Sequence, residues 1–253
     1  TSGIQRSVFL RTFGCQMNVR DAEALASRFL EAGYTRADHW EAADVILVVT
    51  CSVRQGAEDR AVSFVRSLSG LKRGGRPIIG FLGCAAKNRG EEIRATMPHV
   101  DIIAAPSELD RVFDLVQDHS ELNAKCQMLN ADRDRNESFY STFHADEPDH
   151  AQVVISTGCN NWCSYCIVPY VRGELRHREP DDIVSEVREH VAKGRHRITL
   201  LGQNVNDYPN FIDLLKTVSA VPDVTEIDFT SSHPKNQSVE LFTVMAQLPN
   251  VKK

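Results

Sequence analysis

The sequence has no apolar run of about eighteen residues, so no transmembrane helix is expected. Its first residues, Thr1–Ser7, are polar and lack the apolar core of a secretion signal. No Met stands at position 1, which reads as trimming or a boundary. There is no P-loop, no G-x-G-x-x-G fingerprint, no H-E-x-x-H and no G-x-S-x-G, so nothing supports NTP hydrolysis, hydride transfer, zinc proteolysis or serine catalysis. Basic residues are not in excess either. Lys plus Arg number 29 against 34 Asp plus Glu, and the resulting net charge of -5 gives no whole-chain signal for nucleic acid. A polyanionic partner would need a local basic patch or a further domain.

Cysteine is present in an odd number, 7, and three of these residues crowd into eight positions. That is a poor disulfide framework for a chain without an export signal, and a reducing cytosol fits better. The crowded three form C-x3-C-x2-C: Cys159, Cys163 and Cys166, in Gly158-Cys-Asn-Asn-Trp-Cys-Ser-Tyr-Cys166. Three such thiolates suit three irons of a 4Fe-4S cube, leaving the fourth iron open to bind a small molecule. The competing reading is a zinc site, for which His177 is the nearest candidate fourth ligand.

The first half alternates short β-rich runs with helical patterns. Strands are expected over 8–13, 44–50, 77–82 and 100–104, and helices over 21–32, 55–68, 90–96 and 107–117. The run 44–50 is apolar on both faces, as a buried parallel strand is. Alternation of this kind predicts an α/β domain with a parallel sheet. Cys15, Cys51 and Cys84 follow the first three strands at separations of about one βα unit. In a parallel sheet these ends share one edge, where open α/β sheets bind ligands, so a second metal site is expected there. The competing reading is three small buried hydrophobes. Cys126 lies apart and reads as a non-ligand thiol.

Residues 121–148 are polar with little periodicity and read as a linker between a domain at 1–120 and another at 149–253. In the latter, strands are expected over 153–156, 197–201 and 224–230, and helices over 180–193, 210–219 and 238–247. These are three βα units, as in part of a βα barrel, whose site lies at the carboxyl ends of the strands. Residues that follow those strands are candidates for a cofactor pocket: Gln203, Asn204 and Ser232, with His233 beside it. Capping of the strand ends is the alternative role for Gln203 and Asn204, and a structural role for the lone His233. Arg172, Arg176 and Arg178 could contact phosphate or form a solvated charged loop.

The C-x3-C-x2-C loop, with Tyr165 before its last cysteine, resembles the signature of the radical S-adenosylmethionine enzymes. Gly14-Cys-Gln-Met-Asn18, Thr50-Cys-Ser-Val-Arg54, Gly83-Cys84 and the stretch from Gly158 to Gly173 together resemble the methylthiotransferases of that superfamily. The resemblance implies two 4Fe-4S clusters, an auxiliary one on Cys15, Cys51 and Cys84 and a second on Cys159, Cys163 and Cys166. It implies S-adenosyl-L-methionine on the open iron of the second, with Tyr165, Gln203, Asn204 and Ser232 as cofactor-binding candidates and Arg172 and Arg176 as substrate-binding ones. No residue is assigned a catalytic role.

Cys-Gln-Met-Asn at 15–18, Thr-Cys-Ser-Val-Arg at 50–54 and Leu-Leu-Gly-Gln-Asn-Val-Asn at 200–206 are similar to the branch that adds a methylthio group to carbon 2 of N6-isopentenyladenosine, next to the anticodon of tRNA. The branches acting on threonylcarbamoyl-adenosine or on a ribosomal-protein aspartate are the alternatives, with a zinc-stabilised non-catalytic module as a more distant one. Partners implied are tRNA and an electron donor such as flavodoxin or ferredoxin, for a cytoplasmic, membrane-free monomer. Against that family the chain is expected to lack half a barrel and a small RNA-binding domain, and the Tyr208-Pro209-Asn210 connection looks short.

Overall fold

A computed structural model describes residues 5–72, 74, 76–122, 126–129, 137–140 and 147–252. In chain order the strands and α-helices are β1 (Ser7–Phe13), α1 (Gln16–Glu31), β2 (Thr35–Arg36), β3 (Val45–Thr50), α2 (Gln55–Ser67), β4 (Ile78–Gly83), α3 (Cys84–Thr96), β5 (Ile102–Ala104), α4 (Val112–Leu122), β6 (Gln127–Leu129), β7 (His150–Val154), β8 (Ser156–Thr157), α5 (Val168–Arg172), β9 (Arg176–His177), α6 (Pro180–Ala192), β10 (Arg197–Leu201), α7 (Phe211–Ser219), β11 (Glu226–Phe229) and α8 (Val239–Gln247). Two compact units emerge. One takes in residues up to 144 together with Tyr170–Arg172, and the other takes in 145–169 and 173–253. Among the described residues no helix is long and apolar enough to cross a membrane.

The first unit is a parallel sheet of six strands in the order β2-β1-β3-β4-β5-β6. All six residues of β3 are buried, because helices cover both of its faces. Alternation along the strands divides the core. Ile46, Val48, Ile79 and Phe81 pack with Ala61, Val62 and Val65 of α2 and with Ala85, Ala86 and Ile93 of α3. α1 packs on β1, β3 and α4, and its fully buried Leu25 and Phe29 supply its apolar face.

Three differences from the sequence reading have physical causes. α1 starts five residues earlier than the apolar periodicity marks, because Cys15 serves as its N-cap. The Asn18 side chain accepts the Cys15 N–H (3.4 Å), the reach-back half of a capping box built on residues that seldom play this part. α3 likewise starts at Cys84 itself. The linker reading of 121–148 is corrected at Gln127–Leu129, which pairs parallel to β5 as the last strand of the sheet. A three-residue edge strand is too short to carry a period. Most of 121–148 otherwise lies outside the described residues.

The second unit has a parallel sheet, β11-β10-β7, and a two-stranded antiparallel pair, β8 and β9. Its core joins Val153, Ile198, Leu200 and Ile227 of the sheet to Ile183 and Val187 of α6 and Leu215 and Val218 of α7. α8 is capped by Ser238, whose hydroxyl accepts the Leu241 N–H at 3.1 Å. Arg178 is not a phosphate-facing side chain. It is buried, donates to the Val154 carbonyl at 2.8 Å and pairs at 2.5 Å with Glu186, itself buried on α6.

Replacing Glu186 with Ala strands that guanidinium in the core, where losing one partner of a buried pair costs about 3–5 kcal/mol. Urea unfolding of Glu186→Ala, followed by far-ultraviolet circular dichroism, should show a loss of this size.

Candidate functional site

The first cysteine trio is set by strand register. Phe13 lies beside Thr50, and Thr50 beside Gly83, so β1, β3 and β4 end level with one another. Cys51 and Cys84 follow at once and Cys15 one residue later, after strands spaced about 4.8 Å apart. The strand order reverses between β1 and β3, which makes this edge the topological switch point where such sheets take ligands.

The backbone is compressed to bring these residues together. A Cβ on Gly14 would sit 2.5 Å from the Cys51 Cβ and 2.6 Å from Asn18 Oδ1. Gly83 has φ +93°, and a Cβ there would meet the Thr50 carbonyl at 2.7 Å. Asn18, fully buried, holds the turn: its Nδ2 donates to the Thr50 carbonyl (2.9 Å), and its Oδ1 lies 3.1 Å from Cys15 Sγ. The Val53 N–H donates to Cys51 Sγ at 3.3 Å.

The three sulfurs sense one another. A hydrogen bond from the Cys51 thiol holds Cys15 down to about 6, and the same bond pushes Cys51 far up. Burial raises Cys84, while the Arg172 guanidinium beside it pulls the other way. Arg172 corrects the sequence reading. Its side chain is only 3% exposed, and its Nη2 donates to Asp21 Oδ2 at 2.8 Å. Asp21, fully buried, also accepts from the Tyr140 hydroxyl at 2.7 Å. Burial alone would depress the Arg172 pKa, but the Asp21 carboxylate and the neighbouring sulfurs raise it. A guanidinium enclosed in this way cannot reach an RNA phosphate. It supplies positive charge next to Cys84 and Cys15, where bound thiolates would concentrate negative charge.

The second trio lies on the loop after β8. Gly158 opens it at φ +73°, and a Cβ there would fall 1.9 Å from the Glu174 carbonyl oxygen, so no other residue fits. The Cys159 N–H donates to the Gly173 carbonyl (3.2 Å) and the Cys166 N–H to the Cys163 carbonyl (2.9 Å). Cys159 is buried, whereas Cys163 and Cys166 are half-buried. Tyr165 is 88% exposed, and the adjacent Cys163 sulfur raises its phenol pKa.

The other residues singled out from the sequence divide. Gln203 and Ser232 are half-buried, and Arg176 is exposed. Asn204 is buried, and its amide is already engaged: Oδ1 accepts the His233 N–H (3.2 Å) and Nδ2 donates to Asn236 Oδ1 (3.3 Å). Asn206, which the sequence reading missed, grips the same backbone, accepting the His233 N–H at 2.8 Å and donating to the His233 carbonyl at 3.0 Å. The result is a fixed His233 whose Nε2 lies 3.6 Å from Cys163 Sγ. His177 does not take a ligand's place; its ring packs edge-on against Tyr208 with centroids 5.2 Å apart. A cavity of about 490 Å³ beside that pair is lined by neither cysteine trio.

Among the described residues no three His, Cys, Asp or Glu converge as ligands of a single ion do. One zinc ion needs its donors about 2.3 Å from a common point. A cube takes each thiolate on a separate iron, so it suits thiols that share an edge without sharing a centre. On donor chemistry both trios fit such a cluster.

Gly14→Ala should cost about 1–3 kcal/mol through overpacking against Cys51. Gly70→Ala, where a Cβ meets nothing within 4 Å, should be near neutral. Thermal unfolding of the two variants side by side checks this.

Residues 7–105 match the family model described as uncharacterized protein family UPF0004, and residues 153–251 match the radical SAM superfamily. Curated proteins named tRNA-2-methylthio-N(6)-dimethylallyladenosine synthase are similar over nearly the whole chain. The one from Geobacter metallireducens is 38% identical over 259 residues, covering 98% of this chain and 58% of its own length. One from Porphyromonas gingivalis is 40% identical over 264 residues, with coverages of 98% and 56%. The chain thus spans little more than half the length of these relatives. Among solved structures, the radical S-adenosylmethionine methyltransferase TsrM from Kitasatospora setae aligns with a TM-score of 0.57 at 11% identity, over 97% of this chain and 66% of that one. The cobalamin-dependent S-adenosylmethionine radical enzyme OxsB aligns at 0.56 and 10%, over 97% and 43%. At such identities the likeness speaks for the fold, here an α/β unit followed by βα repeats. With the two family models in this order along one chain, and relatives matching nearly all of it, the chain belongs to the radical SAM methylthiotransferase family.

Proposed function

We propose that this chain carries the two cluster-bearing domains of a tRNA methylthiotransferase. The enzyme adds a methylthio group to carbon 2 of N6-isopentenyladenosine next to the anticodon. The observation that carries this reading is the pairing of two cysteine trios, one at the switch point of a parallel sheet and one on a C-x3-C-x2-C loop. Cys15, Cys51 and Cys84 would hold one 4Fe-4S cluster, and Cys159, Cys163 and Cys166 the other. S-adenosyl-L-methionine on the second cluster supplies radical chemistry, which an adenine carbon that is neither acidic nor electrophilic requires.

The chain's own residues would do the rest. Tyr165, exposed at the tip of its loop, is offered to the adenine of the cofactor, and the side chains of Gln203 and Ser232 to its polar groups. Asn204 and Asn206 act one step back, by fixing His233 against Cys163. Arg172 balances charge at the first trio, and Arg176, on an exposed position, would face an RNA phosphate. The substrate base must leave its stack to reach enclosed thiols. The partners are tRNA and an electron donor of the flavodoxin or ferredoxin class, and the setting is a monomer in a reducing cytosol.

Anaerobically reconstituted protein should contain roughly eight irons per chain, two cubes of four. Cys51→Ala and Cys159→Ala should each remove about half. Unchanged iron in Cys51→Ala would eliminate the first cluster, and zinc in place of iron would eliminate both. For the substrate, nucleoside mass spectrometry of tRNA from a strain lacking the gene should show loss of the 2-methylthio form of isopentenyladenosine. Loss from threonylcarbamoyl-adenosine instead would move the chain to that branch.

A further inference from the structure

The first unit carries a second feature that the cysteines do not explain. Phe9, Arg11 and Phe13 alternate along β1 and stand on the face that carries Ile46 and Val48, the α2 side of the sheet. α2 covers that face over β3 but covers β1 only in part, so Phe9, Arg11 and Phe13 remain half-buried. Trp40 and Phe64 complete a chain of rings: Phe9 to Trp40 at 6.0 Å, Trp40 to Phe64 at 5.5 Å, and Phe64 to Phe13 at 5.9 Å.

The Arg11 guanidinium lies over this chain, 4.4 Å from the Phe64 centroid, 5.1 Å from Phe13 and 5.9 Å from Trp40. No carboxylate pairs with it among the described residues, although the chain as a whole is acidic. One turn before Phe64, on the same face of α2, stands Arg60, exposed and also without a carboxylate among the described residues. Phe13 is the last residue of β1, two before Cys15. The strip therefore starts at the edge that bears the first trio and runs away from it along β1.

Flat rings interleaved with uncompensated guanidinium groups match unstacked bases and phosphates, the pairing by which single-stranded nucleic acid is held without sequence readout. We propose that this strip, centred on Arg11 and Phe64 with Arg60 beside it, is an RNA-binding surface that grips unpaired nucleotides of the substrate next to the base being modified. This rests on the reading of the chain as a tRNA-modifying enzyme and adds to it where the RNA lies on the first unit. The acidic net charge is no obstacle, since local guanidinium groups carry the contact.

The test uses this chain and a fluorescent anticodon stem-loop RNA, titrated at several salt concentrations. Arg60→Gln, on an exposed helix face, and Arg11→Gln should each weaken binding about 5- to 10-fold and lower the salt slope by about one. Phe64→Leu should weaken binding by a similar factor with an unchanged slope, because stacking releases no counterions. Photocrosslinks from a 5-bromouridine RNA should map to peptides containing Phe13, Trp40 or Phe64. Absence of RNA binding by the unaltered chain at low salt, wild-type affinity in all three variants, or crosslinks confined to other peptides would each overturn the proposal. If Arg11→Gln and Arg60→Gln instead weaken association with an acidic flavoprotein electron donor and leave the RNA isotherm unchanged, the strip is a protein interface and the RNA assignment fails. Iron content of the same variants should equal wild type. That measurement separates failure of this surface from failure of the cluster reading, which stands or falls on the cysteine variants.

Discussion

Register between three neighbouring parallel strands is the constraint on which the first unit depends. β3 and β4 are buried on both faces and β1, half-buried along most of its length, pairs in register with β3, so a slip by one residue would turn the core side chains to the opposite face. The residues after those ends therefore come together without local contacts to guide them. Gly14 and Gly83 then remove the atoms that would hold the thiols apart. Asn18 closes the arrangement by joining the α1 cap to the end of β3. The thiols are placed by the fold, and their immediate neighbours only refine the fit.

That placement carries an electrostatic cost, which explains the residues around it. The hydrogen bond to Cys15 raises the Cys51 pKa and burial raises that of Cys84, with the charge of the neighbouring sulfur adding to both, so this setting disfavours a second and third thiolate. Arg172 is the nearest counterweight, and a buried arginine must itself be balanced, which is the part of Asp21 and Tyr140. The network runs from α1 to a residue 151 positions away in sequence. Moving its charge to the surface would take from buried Asp21 the guanidinium that balances it.

The ease of reading the sequence followed the range of the interactions. β3 and the helix that opens on Pro180 were visible because burial on both faces and helix-start chemistry leave local marks. The cysteine spacing exposed both trios as candidates, since a βα repeat carries its own ruler. What escaped depended on partners distant in the chain. Arg172 and Arg178 look like surface cations in a run of polar residues, and only Asp21 and Glu186 reveal them as core groups. Asn204 offered the right chemistry for a cofactor, but the His233 backbone claims it. Asn206 could have been suspected from the closely spaced Asn204 and Asn206, although nothing local says that two amides would hold one histidine. Cys15 hid a helix start because cysteine is not a usual cap.

The same distinction bears on charge. A net charge of -5 speaks against nucleic acid only when charge is spread evenly, and here it is not. Many carboxylates are already matched: Asp21 by Arg172, Asp101 by Lys72, Glu186 by Arg178, Glu58 and Glu92 by Arg89. A matched pair contributes little field at a distance, because opposite charges a few ångströms apart cancel within a Debye length of about 8 Å at physiological salt. What a polyanion meets is the remainder at each place on the surface. Along β1 that remainder is a guanidinium lying on aromatic rings, where partial burial weakens screening by solvent and leaves its charge more effective than that of a fully hydrated cation.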